Sequence, residues 1–499
     1  MSLDDPFSPA SFERVVQRLA TGVSAYLAET GERELPLSAG KSPEALFAEV
    51  RTPLPREGRG VDATVERVLS FYLGNANRLA HPRYIGHQVA PPLPLSAAVD
   101  LVGSVLNNGA AIWEMSPSGT VLEHLVLAWF AETIGWSWPS EPGGPGAGGS
   151  FVDGGTLGNL TALAAARARA FPDAWENGHD PSRSAIICAD TAHYCIERAA
   201  GLFGMGRRGL FPAKTENGRL TPAAAAGAIE RARAAGREPF ALVACAGSTA
   251  VGAIDDLEAL ADLAASHGLW YHVDAAHGGS FLLSERLRPS FRGIERADSV
   301  TIDLHKMMFQ PISTAMILVR DAVDIRRAFS QDQSYVFHPR SAGPVWDQGP
   351  HTFQCSRRLD VLRAWSTLVA FGADGIAELQ EELVDVCRRA AERIARHPEF
   401  ELALEPQTNI LCFRHRPAGL AEDQLDRHNA DLRERVNLDR FTYITATTFE
   451  GARWLRFTFI NPRTTDADVD AVCERIRILG SGPVVPGTTP NDSQTEVSS

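Results

Sequence analysis

The sequence predicts an α/β protein in which a mostly parallel central sheet is sandwiched by helices. From residue 150 to about 320, short apolar or β-branched runs alternate with alanine-rich helical runs, as in strands joined by crossover helices. Helical patterns dominate the residues before this region, and mixed patterns follow it. We expect an N-terminal helical segment at 1–95, a large domain at 96–370, a small α+β domain at 371–480 and a disordered tail at 481–499.

Among the first 150 residues, amphipathic patterns predict helices at 8–29, 61–79, 95–106 and 117–134. The prolines between the second and third helices, Pro91, Pro92 and Pro94, predict an extended loop, because proline is incompatible with a helix interior. The glycine- and proline-rich stretch 141–149 predicts a linker that leads into the sheet.

The central region supplies the strands of the sheet and the helices that cover it. Apolar runs predict strands at 185–189, 207–211, 240–245, 269–274, 298–302 and 314–319. Helical runs lie between them at 156–171, 193–203, 221–235 and 255–267. Two helices are expected within 355–396, and mixed helix and strand segments at 398–414, 420–435, 441–448, 453–459 and 466–479.

Composition excludes several classes of protein. The chain has 499 residues, of which 44% are hydrophobic and 22% charged, so it is long and apolar enough to bury a large core. The net charge is −13 without a basic block, and we expect no nucleic-acid partner. We find no membrane span and no signal peptide, and the seven cysteines match no zinc spacing. We therefore expect a cytoplasmic protein with free thiols and no metal.

A lysine and an aspartate lie at the ends of neighbouring predicted strands. Lys306 follows the strand 298–302 and precedes three apolar residues, and an apolar pocket would favour loss of its proton, as Schiff-base chemistry requires. Asp274 ends the strand 269–274. Lys306 alone also fits a surface lysine, and Asp274 alone a cap. Together they supply what pyridoxal phosphate (PLP) needs, an amine for its aldehyde and an acid for its pyridinium nitrogen.

Two further features would complete such a site. Gly155 and Thr156 come directly before an alanine-rich helix, where free backbone N–H groups hold a phosphate, although a purely structural turn has the same pattern. His193 lies at a strand-to-helix corner, where an imidazole can stack on a planar ring or serve as an ordinary cap or core residue.

Five segments carry a resemblance to a known family: GGTLGNLTAL, ADTAHYCIERA, HVDAAHGGS, SVTIDLHK and QCSRRLDVLRAW. Together they resemble the group II PLP-dependent amino-acid decarboxylases, which act on aromatic amino acids, glutamate, cysteine sulfinate, histidine or 2,4-diaminobutyrate. The resemblance spans about 60 to 480, and SVTIDLHKMMFQPIS is most similar to the bacterial diaminobutyrate branch. It implies the PLP-dependent transferase fold of type I and a homodimer with the active site at the subunit interface.

The resemblance also implies roles for individual residues. Lys306 matches the Schiff-base lysine, Asp274 the partner of the pyridine nitrogen, and His193 the histidine that stacks on the ring. The remaining matches on the cofactor side are Gly155, Thr156 and His305 near the phosphate and Thr249 near the ring hydroxyl. Asp303 stands where other members carry asparagine, and His277 where they carry tyrosine or tryptophan. The change at His277 affects substrate choice or pH response, or is neutral packing.

The substrate side is implied in the same way. Tyr335 matches the tyrosine of the mobile catalytic loop that protonates Cα after carbon dioxide leaves, although a surface tyrosine is the alternative. Arg456 resembles the arginine at the substrate carboxylate and also fits a structural salt bridge. His87 and Gln88 lie in a segment that resembles the substrate-side loop or, alternatively, serves only dimer packing. Arg357 and Arg358 match paired arginines with a mainly architectural role.

The expected activity is decarboxylation of an L-amino acid to its amine and carbon dioxide. The bacterial-branch resemblance and Gln88 favour a polar substrate such as 2,4-diaminobutyrate or an acidic amino acid, with an aromatic amino acid still open. Oxidative aldehyde formation or transamination on the same fold is the first alternative, against which Tyr335 and His193 argue. A non-catalytic relative is the second, against which the intact Lys306 and Asp274 argue.

Overall fold

A computed structural model describes residue 5 and residues 7–141, 143–329 and 346–482. Its main sheet has seven strands: β1 (Gly148–Val152), β2 (Ser184–Ala189), β3 (Leu210–Ala213), β4 (Glu238–Cys245), β5 (Trp270–Asp274), β6 (Ser299–Asp303) and β7 (Ala315–Val319). The spatial order is β1-β7-β6-β5-β4-β2-β3. Strands β3, β2, β4, β5 and β6 are parallel, whereas β7 is antiparallel to both β6 and β1. The predicted mostly parallel sheet is confirmed.

Strand β1 was not predicted, because its glycines were interpreted as part of a linker. These glycines are required by close packing rather than by flexibility. A Cβ atom at Gly149 would lie 2.4 Å from the carbonyl oxygen of Ile317, and one at Gly148 would lie 2.7 Å from the Cβ of Ala322. Only glycine allows β1 to approach β7 and the helix after it this closely.

Most of the expected helices are present in the described residues, together with short helices that were not expected at Pro43–Val50, Ala174–Asn177, Leu304–Met307 and Ala322–Ala328. The helices of the N-terminal half are α1 (Pro9–Thr30), α2 (Pro43–Val50), α3 (Val61–Arg67), α4 (Pro94–Leu106), α5 (Pro117–Ile134), α6 (Gly155–Ala170), α7 (Ala174–Asn177), α8 (Cys195–Leu202) and α9 (Pro222–Ala234). The others are α10 (Leu257–His267), α11 (Leu304–Met307), α12 (Ala322–Ala328), α13 (Val361–Arg396), α14 (Glu422–Asp439) and α15 (Asp466–Ser481).

Two helices depart from the expected form. The one predicted at 61–79 is α-helical only to Arg67, continues as a π-helix over Val68–Leu73 and ends at Gly74. Helix α13 contains a break at Gly372, whose φ of 69° lies in the left-handed region that favours glycine. The pair of helices predicted within 355–396 is therefore present, joined without an intervening loop.

Strand residues alternate between two apolar cores on opposite faces of the main sheet. On one face, Leu242 packs in the core that contains Ile229 of α9 and Leu260 of α10. On the other, Val243 belongs to the core with Leu163 of α6. This alternation follows from the two-residue period of a strand and makes both faces of the parallel strands apolar.

A second sheet follows α13 and is wholly antiparallel. Its strands, in the spatial order β10-β11-β9-β8, are β8 (Phe400–Leu402), β9 (Ile410–His415), β10 (Thr445–Phe449) and β11 (Ala452–Thr458). The N-terminal loop 81–90 attaches to this sheet, since Thr458 N–H donates to the Ile85 carbonyl at 2.7 Å and Tyr84 stacks on Tyr443. The division of the chain at residues 95, 370 and 480 stays a prediction.

All seven cysteines are free thiols, as predicted, and five of them are buried. Cys355 is exposed, whereas Cys473 is partly buried. Among the helices that the structure describes, none is long and apolar enough to cross a membrane.

Three buried histidines predict how stability depends on pH. Burial lowers the pKa of His272 to about 4 and those of His277 and His351 to about 3. The unfolded chain takes up these protons near pH 6.5, so the folded state loses stability as pH falls from 6.5 toward 4, by about 1.4 kcal/mol per pH unit for each histidine. Asp255 acts in the opposite direction, because burial raises its pKa to about 7.

We expect the midpoint temperature of thermal unfolding to decrease as the pH is lowered from 6.5 to 4.5. This decrease should be less steep in His351→Gln. The measurement is a series of melting curves of the PLP-saturated protein at several pH values. His267→Gln is the matched control, because His267 lies partly exposed in the last turn of α10. Equal pH dependence in the two variants would contradict the role of His351.

Candidate active site

A cavity of about 350 Å³ lies where the parallel strands β4, β5 and β6 end. This edge is where open α/β sheets present their ligands. Its lining includes all seven residues that the sequence assigned to a cofactor: Gly155, Thr156, His193, Thr249, Asp274, His305 and Lys306. His87, Gln88 and Arg456 are not among the lining residues, and Tyr335 lies outside the described residues.

The first turn of α6 supplies the anion-binding part of the cavity. Gly154 caps the helix with a φ of 86°, and Gly155 begins it. A Cβ atom at Gly155 would lie 2.9 and 3.0 Å from the two carboxylate oxygens of Asp303, so this position has no room for a side chain. Gly155 and Thr156 line the cavity, and because the first N–H groups of a helix have no partner within the helix, this end of the cavity suits an anion such as a phosphate.

Lys306 forms a buried ion pair in the short helix α11. Its Nζ lies 2.9 Å from Oδ2 of Asp303, and only 16% of the lysine side chain is exposed. Burial alone would lower the pKa of Lys306, but the charge and hydrogen bond of Asp303 outweigh it and raise that pKa. The expectation that an apolar pocket favours loss of the lysine proton is therefore wrong for this arrangement. The carboxylate three residues earlier in the chain is the physical reason.

Asp274 is held in one orientation at the end of β5. Its Oδ2 accepts a hydrogen bond from Nδ2 of Asn159 at 2.8 Å, and its Oδ1 accepts one from the N–H of Ala276 at 3.1 Å. The side chain is buried, with 7% of the residue exposed. A carboxylate fixed in this way can bind a cationic N–H group in the cavity.

His193 and His305 both lie beside the cavity. His193 is partly buried, and His305 is buried. His193 Nδ1 accepts the backbone N–H of Cys195 at 3.3 Å, so the neutral ring carries its proton on Nε2. Nδ1 of His305 lies 3.0 Å from the carbonyl oxygen of Thr314. Burial lowers the pKa of each histidine, so both rings are neutral at physiological pH.

His277, the departure from the family pattern, is neutral and has a fixed tautomer. Nδ2 of Asn409 donates to the Phe459 carbonyl, so Oδ1 of Asn409 must accept from Nε2 of His277, 2.6 Å away. Nδ1 of His277 is buried and has no partner among the described residues. Because burial lowers its pKa to about 3, His277 adds no titration step near neutral pH.

Arg456 approaches the cavity from the second sheet. Its Nε donates to the Thr445 hydroxyl at 3.1 Å, and its guanidinium also donates to the carbonyl of Thr249, a lining residue. Only 8% of Arg456 is exposed, and no carboxylate of the described residues forms an ion pair with it. The guanidinium is therefore a buried cation held by two neutral acceptors.

His87 and Gln88 lie on the N-terminal loop that the second sheet holds. Nε2 of His87 is 2.9 Å from the hydroxyl of Tyr443, and Nε2 of Gln88 is buried without a partner in the described part of the chain.

Arg357 forms a buried ion pair with Glu123 at 2.7 Å, and Arg358 contacts Asp100 at 2.6 Å. Neither arginine lines the cavity, in agreement with an architectural role.

The sequence analysis missed several residues that shape the site. Asn159 holds Asp274, Asn409 fixes the tautomer of His277, and Tyr443 contacts His87. Asn159 was recognisable in principle, because it lies one helical turn after Gly155 and therefore on the same face of α6. Asn409 and Tyr443 come from the second sheet, and no local pattern connects them to the cavity.

Residues 92–416 match the pyridoxal-dependent decarboxylase conserved domain, which covers well over half of the chain. The chain belongs to this family. Its cofactor is accordingly PLP, and its activity is that of an amino-acid decarboxylase. The sequence-based recognition of the family, the type I fold and the cofactor is confirmed.

Several named relatives align with most of this decarboxylase. It is 32% identical to an L-2,4-diaminobutyrate decarboxylase of Rhizobium meliloti, over 85% of this chain and 83% of that one. It is 29% identical to the cysteine sulfinic acid decarboxylase of Mus musculus, over 88% and 90% of the two chains. The crystal structure of mouse CSAD superimposes with a TM-score of 0.88 at 28% identity, over 95% of this chain and 99% of that one.

The residues of the cavity fit PLP. The start of α6 suits the phosphate, the buried carboxylate of Asp274 suits a protonated ring nitrogen, and the amine of Lys306 suits the aldehyde. The space that Gly155 leaves against Asp303 is part of the same fit, since a side chain there would displace either the helix start or the carboxylate.

We therefore expect Gly155→Ala to weaken PLP binding, by about tenfold or more if the added methyl group shifts the helix start. The measurement is titration of the apoprotein with PLP, followed by the absorbance of the bound cofactor. Gly201→Ala is the control, because Gly201 lies in α8 with no atom within 4 Å of the added Cβ. Unchanged PLP affinity in Gly155→Ala would show that the helix start is not confined in this way.

Proposed function

We propose that this decarboxylase converts a polar L-amino acid, such as 2,4-diaminobutyrate or an acidic amino acid, into its amine and carbon dioxide. The observation that carries the proposal is the convergence of Lys306, Asp274 and His193 on one cavity at the start of α6. The names of the relatives support the substrate class, since they act on 2,4-diaminobutyrate and cysteine sulfinic acid.

The residues divide the work of cofactor binding among them. PLP, when bound, supplies the electron sink for the electron pair left at Cα. These residues line one cavity, so Lys306 would hold the cofactor through its amine and Asp274 would bind the pyridine nitrogen. His193 would lie against the ring, and Thr249 would lie near the ring hydroxyl. Gly155, Thr156 and His305 would hold the phosphate.

Arg456 binds the α-carboxylate of the substrate. Its guanidinium is buried, has no carboxylate partner in the described residues and is fixed by Thr445 and the Thr249 carbonyl. A buried cation of this kind is stabilised when a carboxylate ligand arrives. Gln88, whose buried Nε2 has no partner in the described part of the chain, and His87 then contact the rest of the substrate. A polar substrate supplies acceptors for these donors.

The enzyme acts as a homodimer, with the active site at the subunit interface. Helix α4 supports this assembly, because Leu101, Val102, Val105 and Leu106 are 40–60% exposed on it. Sedimentation of the purified protein distinguishes a dimer from a monomer. The seven free cysteines are consistent with a cytoplasmic location, where thiols stay reduced.

The proposed reaction is tested with a panel of amino acids, scored for amine, carbon dioxide and oxygen uptake in the presence of PLP. We expect amine and carbon dioxide in equal amounts, without oxygen loss, from 2,4-diaminobutyrate or an acidic amino acid. Lys306→Ala should lose both this turnover and the absorbance of the bound cofactor. Turnover of aromatic amino acids alone would contradict the proposed substrate class, and wild-type turnover in Lys306→Ala would contradict the site.

Tyr335 provides the proton that Cα takes up after carbon dioxide leaves. We expect Tyr335→Phe to form less amine and more aldehyde, because Cα then lacks its proton donor and is instead oxidised by dissolved oxygen, which is reduced to hydrogen peroxide while the nitrogen leaves as ammonia. The measurement compares amine, aldehyde and dissolved oxygen in the variant and the wild type. An unchanged product ratio would remove the role of Tyr335.

A further inference from the structure

A chain of four hydrogen bonds runs from Asp274 into the protein, away from the cavity. Asp274 Oδ2 is 2.8 Å from Nδ2 of Asn159, and Oδ1 of Asn159 is 2.9 Å from Nε2 of His272. Nδ1 of His272 is 2.8 Å from the Ser299 hydroxyl, which is also 2.8 Å from Nε1 of Trp270. The chain crosses from α6 to the adjacent strands β5 and β6, where His272 pairs in register with Ser299.

The donors and acceptors of this hydrogen-bond chain can be assigned in one direction only, from Trp270 to Asp274. The indole N–H of Trp270 can only donate and the carboxylate of Asp274 can only accept, so the two ends are fixed. Ser299 then accepts from Trp270 and donates to Nδ1 of His272. Nε2–H of His272 donates to Oδ1 of Asn159, which turns the amide N–H₂ toward Asp274.

The opposite tautomer of His272 would break the chain. With the proton on Nδ1, His272 could donate to the backbone oxygen of Ser299, 3.2 Å away. Nε2 would then need a donor, and the amide of Asn159 would have to turn its oxygen toward the carboxylate of Asp274, where two acceptors would repel each other. The observed contacts therefore require the proton on Nε2.

Burial keeps this arrangement intact. Trp270, His272, Ser299 and Asn159 are each 0–1% exposed, so water does not compete for their hydrogen bonds. Burial lowers the pKa of His272 to about 4, so the imidazole is neutral near pH 7 and keeps one proton to donate. Trp270, His272 and Asp274 lie two residues apart along β5 and therefore on the same face of the sheet, the face that α6 covers, so the hydrogen bonds run along this buried face toward the cavity.

We propose that His272 and Asn159 are positioning residues that orient the carboxylate of Asp274 toward the pyridine nitrogen of PLP. The proposal rests on the proposed function, in which Asp274 binds that nitrogen. Without Nε2–H of His272, the oxygen of the Asn159 amide loses its donor, and only the contact of Nδ2 with Sγ of Cys195, 3.2 Å away, still opposes a rotation that presents the oxygen to Asp274. The carboxylate would then lose the donor at Oδ2 and keep only the N–H of Ala276 at Oδ1, which leaves its orientation less constrained.

The test compares two cofactors that differ only at the ring nitrogen. Apoprotein is titrated with PLP and with 1-deaza-PLP, in which a C–H group replaces that nitrogen. His272→Leu removes the donor at similar volume, and we expect about tenfold weaker PLP binding, the size usual for loss of a hydrogen bond behind a ligand-binding group. Binding of the deaza analogue should be unchanged, because it offers nothing for Asp274 to bind.

His272→Gln is the rescue variant, since a glutamine amide can place an N–H near the position of Nε2. We expect it to bind PLP more tightly than His272→Leu does. His415→Leu is the matched control, because His415 is also 0% exposed, has a pKa lowered to about 4 by burial, and lies in β9. Its PLP affinity should equal that of the wild type. If His272→Leu does not fold, Ser299→Ala, which removes a single hydroxyl, gives the same comparison.

The outcomes separate this proposal from the function on which it rests. Equal weakening of both cofactors in His272→Leu, or no weakening of either, would overturn the positioning role. Asp274→Asn serves as the reference. If Asp274→Asn weakens PLP but not the analogue while the His272 variants do not discriminate, only the role of His272 and Asn159 is wrong. If Asp274→Asn does not discriminate either, Asp274 does not bind the ring nitrogen, and both proposals lose that contact.

Discussion

The close approach of α6 to the carboxyl edge of the main sheet is the constraint on which the site depends. Gly155 lies against the carboxylate of Asp303, and a Cβ at Gly158 would lie 2.6 Å from the Cγ2 of Thr301. The first turn of α6 is therefore seated directly on β6. This contact places the helix start at the cavity and brings Asn159 within reach of Asp274 on β5. A longer side chain at either glycine would lift the helix and separate these parts.

The parts of the site that sequence analysis predicted are those in which one short segment carries both the element and its chemistry. Gly155, His193, Asp274 and Lys306 each stand at the junction of a strand and a helix, and parallel strands bring such junctions to one edge. Strand β1 was missed, because glycines selected for close packing look like glycines selected for flexibility. The direction of the Lys306 pKa was predicted wrongly, because the prediction considered the apolar neighbours of the lysine and not the carboxylate of Asp303, which raises that pKa.

The residues that could not be predicted depend on register between distant segments. Asn159 and His272 are 113 positions apart, and they meet because α6 crosses β5 at one particular height. Tyr84 and Tyr443 stack across the N-terminal loop and the second sheet, and this contact determines where His87 lies. Composition and periodicity predict which face of each helix or strand is buried. They do not predict at which residue one element packs against another, because that position follows from side-chain packing.

The charges of the site explain why its histidines and its arginine have different tasks. Burial lowers the pKa values of His193, His277 and His305, so these rings act as neutral surfaces and hydrogen-bonding groups. Lys306 is matched by Asp303, and in the proposed arrangement Asp274 is matched by the cofactor nitrogen. Arg456 is a buried cation without a carboxylate partner among the described residues, and in the proposed arrangement the substrate's α-carboxylate supplies that partner. Because a buried charge gains most from a partner at short range, the proposed contact with Arg456 would orient an amino acid in the site.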